Sequence, residues 1–208
     1  MPRRKPAPQA SDTLRRSIAS AAARMMAEDG IGDYGAAKRK AAKSVGASDA
    51  VALPTNEEVA AELRAWQALY QEEEQPERLR ELREVALEVM ELLADFRPYL
   101  TGAVLDGTAG RFAEVELELF ADSAKDVEIS LLSRNISYEF ADKGGITSHA
   151  AHLPEARLRL DWRDTPILLL IYSLAGERQH KRSAHSGRSH ARAKAPAVAA
   201  LLSGETPI

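Results

Sequence analysis

The 208-residue sequence contains no cysteine, which excludes a disulfide framework, a thiolate nucleophile and a zinc site built on cysteine. Aromatic residues are scarce, at 5% of the chain, and the longest apolar run, around residues 166–172, is short. A membrane-spanning helix needs about 18 or more apolar residues, and the basic N-terminus lacks the apolar core of a signal peptide. These absences predict a cytoplasmic protein with no membrane partner.

Two common catalytic motifs are also missing. The sequence has no Gly-x-x-x-x-Gly-Lys-Ser/Thr loop and no Gly-x-Ser-x-Gly elbow, so neither phosphate-loop chemistry nor the common serine hydrolase arrangement is indicated. The remaining composition, 45% hydrophobic and 28% charged, is typical of a chain that folds into one or two small globular domains.

Charge is distributed unevenly along the chain. Residues 1–47 hold ten Lys or Arg against four Asp or Glu, whereas residues 57–96 hold twelve acidic residues against four arginines. The segment 176–194 is basic again, with six cations against one glutamate. Basic segments of this kind can contact a polyanion, so the N-terminal helix and the C-terminal tail are candidate nucleic-acid contacts.

Hydrophobic periodicity predicts helices in the first half of the chain. A basic leader, residues 1–12, is expected to be disordered, and apolar residues then recur at helical spacing through a helical region, 13–97. Gly30 and Gly46 are predicted helix stops, and a capping residue near Thr55 with Glu58 opens a further helix. The long apolar seam after Pro76 completes this region.

The pattern changes to strands after residue 97. Short runs with period-two alternation, separated by turn residues, predict an α+β domain over 98–175. Residues 176–208 are expected to form a basic, partly disordered tail. The fold class is therefore α+β: an N-terminal helical region followed by a small mixed sheet with flanking helices.

The segment 102–117 is the most informative stretch, because a glycine turn precedes an acidic strand. Side chains alternate between the faces of a strand, so Glu114 and Glu116 share one face. Adjacent carboxylates repel each other, and a hard divalent cation such as Mg²⁺ binds one or two carboxylates together with substrate phosphates. Solubility of an edge strand is the alternative reason for this alternation.

This segment resembles the signature of the DNA-polymerase-beta-like nucleotidyltransferases, especially the minimal members. The family's Gly-Ser reads Gly102-Ala103 here, its Gly-Thr reads Gly107-Thr108, and its Ser-Asp-Ile-Asp-Leu reads Ala113-Glu114-Val115-Glu116-Leu117. Two features depart from the family pattern. Alanine replaces the serine whose hydroxyl lies near the triphosphate in the family, and both aspartates are glutamates.

The resemblance implies a nucleotidyltransferase-like fold that transfers a nucleoside monophosphate from a nucleoside triphosphate to an acceptor hydroxyl. It implies nucleotide binding by Gly102-Ala103 and Gly107-Thr108, and metal binding by Glu114, Glu116 and a third carboxylate on a later strand, with one or two Mg²⁺ ions. Asp161 is the best candidate for that carboxylate, and in the family such a residue is also the general base. Asp161 can equally be the polar residue that ends a strand.

Two other functions fit the sequence. The departures at Ala103 and at the two glutamates suit a catalytically silent module of the same fold that binds nucleotide, RNA or a partner. The first two helices, with a basic segment at 37–43, resemble the opening of a helix-turn-helix regulator. The next residues show no clear recognition helix, and a helical bundle with solvated lysines is the simpler interpretation.

Overall fold

The computed structural model describes residues 8–47, 53–70, 74–141, 153–180 and 191–204. The helices are α1 (Pro8–Asp29), α2 (Tyr34–Ser44), α3 (Asn56–Tyr70), α4 (Glu74–Leu92), α5 (Gly102–Asp106), α6 (Ala124–Ser133), α7 (Leu174–His180) and α8 (Ala195–Leu202). The strands are β1 (Tyr99–Thr101), β2 (Val115–Ala121), β3 (Glu139–Phe140), β4 (Ala156–Trp162) and β5 (Thr165–Ser173). The predicted α+β class is confirmed. Within the described ranges, no helix is long and apolar enough to cross a membrane.

The chain divides into two compact units. One contains the described residues up to Glu77 together with 110–112, and the other contains those of 78–109 and from Ala113 onward. This division falls about one helix earlier than the boundary that the sequence suggested after residue 97. The apolar seam of α4, which includes Leu82, Val89 and Leu93, is buried in the core of the second unit, and this burial assigns α4 to the sheet.

The first unit is a bundle in which α1 packs against α2 and α3. Its core is rich in alanine, and Ala22 and Ala37 are fully buried beside Ile18 and Leu63. Small side chains allow the helix axes to approach closely, and the larger residues fill the remaining volume. The solvated-bundle interpretation of these helices agrees with this packing.

The start of α3 confirms the predicted capping motif. The Thr55 hydroxyl accepts a hydrogen bond from the Glu58 amide at 3.1 Å, and the Glu58 carboxylate accepts one from the Thr55 amide at 2.6 Å. Arg15 of α1 also donates to this carboxylate at 2.8 Å. These interactions, first the Thr55 backbone bond and then Arg15, lower the pKa of Glu58.

The predicted disordered leader is partly helical. The first helix begins at Pro8, four residues before the predicted limit at residue 12, while residues 1–7 of the leader lie outside the described residues. Proline is tolerated in the first turn of a helix because its fixed φ already suits that position and its missing amide would have no helical partner. A proline-rich composition therefore does not by itself exclude a helix start.

The second unit is built on a five-stranded sheet of order β1-β2-β5-β4-β3. Strands β2 and β5 are parallel, and the other neighbours are antiparallel. The sheet is therefore mixed, as predicted. Parallel pairing requires a long crossover, and the chain from α6 through β4 supplies it.

Different helices and side chains pack against the two faces of this sheet. Helices α4, α6 and α8 contribute to a core on one face, against Leu117, Leu169 and Leu158. On the other face, Tyr99, Phe120 and Tyr172 pack with Leu174 of α7 at one end of the strands. The opposite end of that second face carries the residues of the acidic motif, and Asp161 is exposed there.

A tight turn joins β4 and β5. Arg163 and Asp164 both have positive φ, at 50° and 59°, as a two-residue hairpin turn of the mirror-image type requires. Glu88 of α4 accepts a hydrogen bond from the Trp162 indole at 3.0 Å and pairs with Arg163 at 2.7 Å. This acidic residue therefore holds the hairpin against α4.

The C-terminal tail contributes to the folded unit, which corrects the prediction for 176–208. Ala193 pairs with Leu100 of β1 through hydrogen bonds of 2.8 and 3.0 Å, and Val198 of α8 is fully buried in the core. Residues 181–190 and 205–208 of the predicted tail lie outside the described residues. An alanine-rich segment has too little apolar contrast to show this docking in its sequence.

The Arg192 side chain is largely buried, although its charge had suggested a polyanion contact. Its side chain is 11% exposed and lies 3.7 Å from the Glu118 carboxylate, which is 7% exposed. The guanidinium also donates to the Glu177 carbonyl at 2.9 Å and lies 4.4 Å from the centre of the Tyr99 ring. Its positive charge compensates a buried acid and is not displayed to solvent.

Replacing Arg192 by alanine is expected to destabilise the protein by about 3–5 kcal/mol, because Glu118 would remain as an unpaired buried charge. Urea unfolding followed by circular dichroism measures this loss. Arg97→Ala is the matched control, because Arg97 pairs with Glu177 at 2.7 Å but is 57% exposed, and its loss should cost about 1 kcal/mol or less.

A second variant isolates the charge effect. Arg192→Met with Glu118→Gln removes both charges and should recover a large part of the lost stability. Equal losses in the Arg97 and Arg192 variants would contradict the assignment of a buried, structural ion pair.

Candidate functional site

The glycine turn forms a compact loop between β1 and β2. Gly102 starts α5 with φ +70°, and Gly107 ends it with φ +77°, so both positions need a conformation that favours glycine. The amides of Thr108 and Ala109 donate to the Ala103 carbonyl at 2.9 and 3.1 Å. These hydrogen bonds bring Gly107-Thr108 back against Gly102-Ala103.

Arg83 of α4 holds the end of this turn. Its guanidinium donates to the carbonyls of Val104 and Leu105 at 3.2 and 3.4 Å. A cation at the carboxyl end of a short helix satisfies carbonyls that have no helical partner. Burial lowers the pKa of Arg83. This residue was missed in the sequence, because its helix had been assigned to another region.

Gly102 joins the two halves of the motif. A Cβ added to Gly102 would lie 2.9 Å from both Cδ and Oε1 of Glu116. The Thr101 hydroxyl, one residue before, donates to the Glu116 backbone carbonyl at 3.4 Å, and Thr101 and Glu116 are register partners in β1 and β2. The glutamate carboxylate therefore lies directly against the glycine turn, and a side chain at 102 would have to displace this carboxylate in addition to adopting a positive φ.

Glu116 lies in a strongly negative environment. Burial raises its pKa to about 7, with further contributions from the charges of Glu114, Asp106 and Glu118, while Arg157 acts in the opposite direction. A divalent cation would neutralise such a group of carboxylates. The donor set of Glu114 and Glu116 therefore fits the oxygen ligands that Mg²⁺ prefers.

The charge of Glu114 is compensated by an arginine that lies two strands away in the sheet. The Arg159 guanidinium of β4 contacts its carboxylate at 3.1 Å through Nη2 and at 3.2 Å through Nε. Strand β5 lies between β2 and β4, and Leu168 is the register partner of both Glu116 and Arg159. The arginine side chain must therefore extend over β5 to reach the acid.

Asp161 lies on the same face as the two glutamates but on a different strand. It is exposed and pairs in register with Pro166 of β5. Two strand spacings separate β4 from β2, about 10 Å. Within the described part of the chain, no three acidic or histidine side chains come together as a metal cluster. The structure brings Glu114 and Glu116 together and leaves Asp161 on the opposite side of β5.

The remaining predicted nucleotide-binding residues lie within the turn. Ala103 is half-buried and packs against the core of the second unit, and Gly107 is half-buried. Thr108 is buried, with 3% exposure, so its hydroxyl faces the protein interior. Backbone atoms at 102, 103 and 107 are the groups of this set that can approach a ligand.

Two arginines of β4 complete the polar face, and sequence reasoning missed both. Arg157 and Arg159 alternate with the buried Leu158 and Leu160, so they share the face of Asp161. The period-two pattern Arg-Leu-Arg-Leu-Asp was sufficient to place the three on one face. It could not show that this face also carries the acids of β2.

Comparison with known proteins adds no family assignment. No protein-family model, no curated protein and no solved structure matches this chain.

Gly102→Ala is expected to destabilise the protein by about 2–4 kcal/mol, the sum of a positive-φ penalty and a steric overlap with Glu116. Gly107→Ala is the control at the other end of α5. Its φ is similarly positive, but an added Cβ would meet only ordinary contacts at 3.8 Å or more. Its cost should be about 1–2 kcal/mol, measured by urea unfolding. In a Glu116→Ala background, the stability losses caused by Gly102→Ala and Gly107→Ala should become equal. If Gly102→Ala still cost more, the close contact between position 102 and Glu116 would be contradicted.

Glu116→Gln is expected to change the pH dependence of stability. Because the folded protein raises this pKa from 4.5 to about 7, it retains a proton that the unfolded chain has lost, and the wild type loses stability as the pH rises through that interval. The glutamine variant lacks this loss, so it should be more stable than the wild type at pH 8 and closer to it at pH 5. Urea unfolding at both values, without divalent cations, measures the difference. A constant difference would contradict the raised pKa.

Proposed function

We propose that the second unit binds a nucleoside triphosphate with Mg²⁺ and transfers its nucleoside monophosphate to an acceptor hydroxyl, as a nucleotidyltransferase-like protein does. The observation that carries this proposal is the contact between the Glu116 carboxylate and Gly102. It joins an acidic strand to a glycine turn at one end of a sheet face. That arrangement supports a site where a cation and a phosphate meet.

Glu114 and Glu116 would hold the cation through their carboxylate oxygens. Bound Mg²⁺ supplies neutralisation of the charge that develops on the transferring phosphoryl group. The glycine at 102 allows close approach of the backbone to phosphate, and Arg83 keeps the turn in place through the Val104 and Leu105 carbonyls. These residues bind and orient the donor.

Asp161 is proposed as the general base. Its carboxylate would accept the proton of the attacking acceptor hydroxyl. It is exposed on the same face as the glutamates, and β5 lies between them. The separation of about 10 Å from β2 favours action on the acceptor over a share in the cation held by the glutamates.

A silent nucleotide-binding module is the second candidate, and the ion pair between Arg159 and Glu114 favours it. An arginine already compensates one of the two acids, and Ala103 lacks the hydroxyl of the family pattern. Such a module would bind the triphosphate without turnover.

The nucleic-acid contacts stay a prediction. On α2, Lys40 pairs with Asp29 at 2.9 Å and Arg39 lies 3.9 Å from Asp33, while Lys38 donates to Asn56 at 2.7 Å. Three of the cations in this helix therefore have partners within the first unit. An RNA acceptor would have to compete with these interactions.

Isothermal titration with a panel of nucleoside triphosphates tests the donor site, with Mg²⁺ and with chelator. Wild-type protein is expected to bind only with Mg²⁺, and Glu114→Gln/Glu116→Gln is expected to abolish this binding because it removes the carboxylate ligands. Glu84→Gln/Glu91→Gln removes two exposed charges from α4 and should bind normally. Binding by the Glu114/Glu116 variant would contradict the carboxylate assignment.

Asp161→Asn separates the two candidates. If the protein is an enzyme, this variant should bind triphosphate like the wild type but release pyrophosphate about a hundredfold or more slowly. The measurement is Mg²⁺-dependent pyrophosphate release with a panel of hydroxyl acceptors. Binding without release by the wild type would favour the silent module, and equal release by both proteins would contradict the role of Asp161.

A further inference from the structure

The β4 strand carries a row of charges that the proposed transfer does not use. Arg157 and Arg159 lie on the face that also holds the glutamates of β2. Arg159 is the register partner of Leu168, and Arg157 is the register partner of Leu170. Strand β5 therefore separates a cationic strand from an acidic one.

The strip between these strands is apolar. Pro166, Leu168 and Leu170 of β5 alternate with fully buried residues and are themselves half-buried. A ligand lying on this strip would have carboxylates on one side and guanidinium groups on the other. A polyphosphate carries oxygens for both sides, because they can bind a cation at β2 and accept hydrogen bonds from arginine.

We propose that Arg159 is a phosphate-binding residue that exchanges partners. It pairs with Glu114 when no divalent cation is bound, and it pairs with polyphosphate when Glu114 binds a divalent cation. The inference rests on the proposed function, because it assigns the polyphosphate of that same site to β4. Arg157 is the second cation of the strand and lies one row further along it.

The observed pair is suited to such an exchange. The Arg159 and Glu114 side chains are 52% and 30% exposed, and pairs this exposed contribute little to stability. Glu139 of β3 is the register partner of Arg159 on its other side. A second acidic residue therefore lies on the strand next to Arg159, on the side away from Glu114.

Arg157 supports the same assignment. Its charge acts on Glu116 and on Tyr172, so its field extends across β5 toward β2. An arginine binds phosphate through a planar fork of donors, and two of them on one strand face can contact neighbouring phosphate groups. Inorganic tripolyphosphate carries these groups without a base or sugar.

Two affinities of the full-length protein test the proposal: that for Mn²⁺ alone, by electron paramagnetic resonance, and that for tripolyphosphate in saturating Mn²⁺, by isothermal titration. Arg159→Gln should bind Mn²⁺ about two- to fivefold more tightly, because Glu114 loses a competing cation. The same variant should bind tripolyphosphate about tenfold or more weakly, because a charge-assisted donor is lost.

The control is Arg163→Gln, which removes an exposed arginine paired with Glu88 at 2.7 Å on the β4–β5 turn. It should leave both affinities unchanged. Arg159→Lys should retain part of the tripolyphosphate affinity, because it keeps the charge but loses the fork. Circular dichroism confirms that each variant is folded.

The outcomes separate this inference from the proposed function. Opposite changes in the two affinities for Arg159→Gln would support it, since a purely structural role would move both in the same direction. Unchanged affinities, or a loss of both, would overturn this inference. The proposed donor site would still stand in that case if Mn²⁺ binding were lost in Glu116→Gln. Absence of Mn²⁺ binding by the wild type would overturn both.

Discussion

The contact between the Glu116 carboxylate and the Cα of Gly102 is the constraint on which the site depends. Because an added Cβ would lie 2.9 Å from the carboxylate and the residue has positive φ, glycine is strongly favoured at 102, and this φ sets the direction in which α5 leaves β1. Arg83 then fixes the far end of this short helix from α4. A side chain of the strand, a backbone conformation and a helix of the core thus determine one another's positions. The helix packing that stabilises the sheet also shapes the turn.

Glu116 and Glu118 of β2 lie on the same face of the sheet but in different electrostatic environments. Glu118 is buried and has the charge of Arg192 at 3.7 Å, and α7 and the aromatic cluster cover that end. Glu116, one row away, lies among Glu114, Asp106 and Glu118, and burial raises its pKa to about 7. Removing the cation beside a buried acid is costly, whereas an acid among other acids is a group whose charge a proton or a bound cation would neutralise. The same strand therefore carries an acid compensated by an arginine at one end and an acid surrounded by other acids at the other.

Local signals in the sequence predicted local structure well. Thr55 and Glu58 identified the start of α3 because a capping box needs only residues three apart, and period two placed the β2 glutamates on one face. Long-range partners were not predictable in this way. The apolar seam of α4 shows that this helix has a buried side but does not show which core it joins. The sequence therefore suggested a boundary after residue 97, one helix later than the division in the structure. Period two places Arg159 on the face of Asp161 but does not show that this face also carries Glu114, and the one-residue bridge that positions Arg192 leaves no periodic pattern in the sequence.

The departures from the nucleotidyltransferase pattern are coherent when they are considered together with β4. Ala103 supplies no hydroxyl donor and packs against the core, so phosphate donors at the turn are restricted to backbone groups. The opposite side of the face supplies Arg157 and Arg159, whose donors lie across β5. A glutamate extends one methylene further than an aspartate, which moves its carboxylate away from β2. The charged donors of this face therefore come from β4, whereas the turn contributes backbone groups and the contact between Gly102 and Glu116.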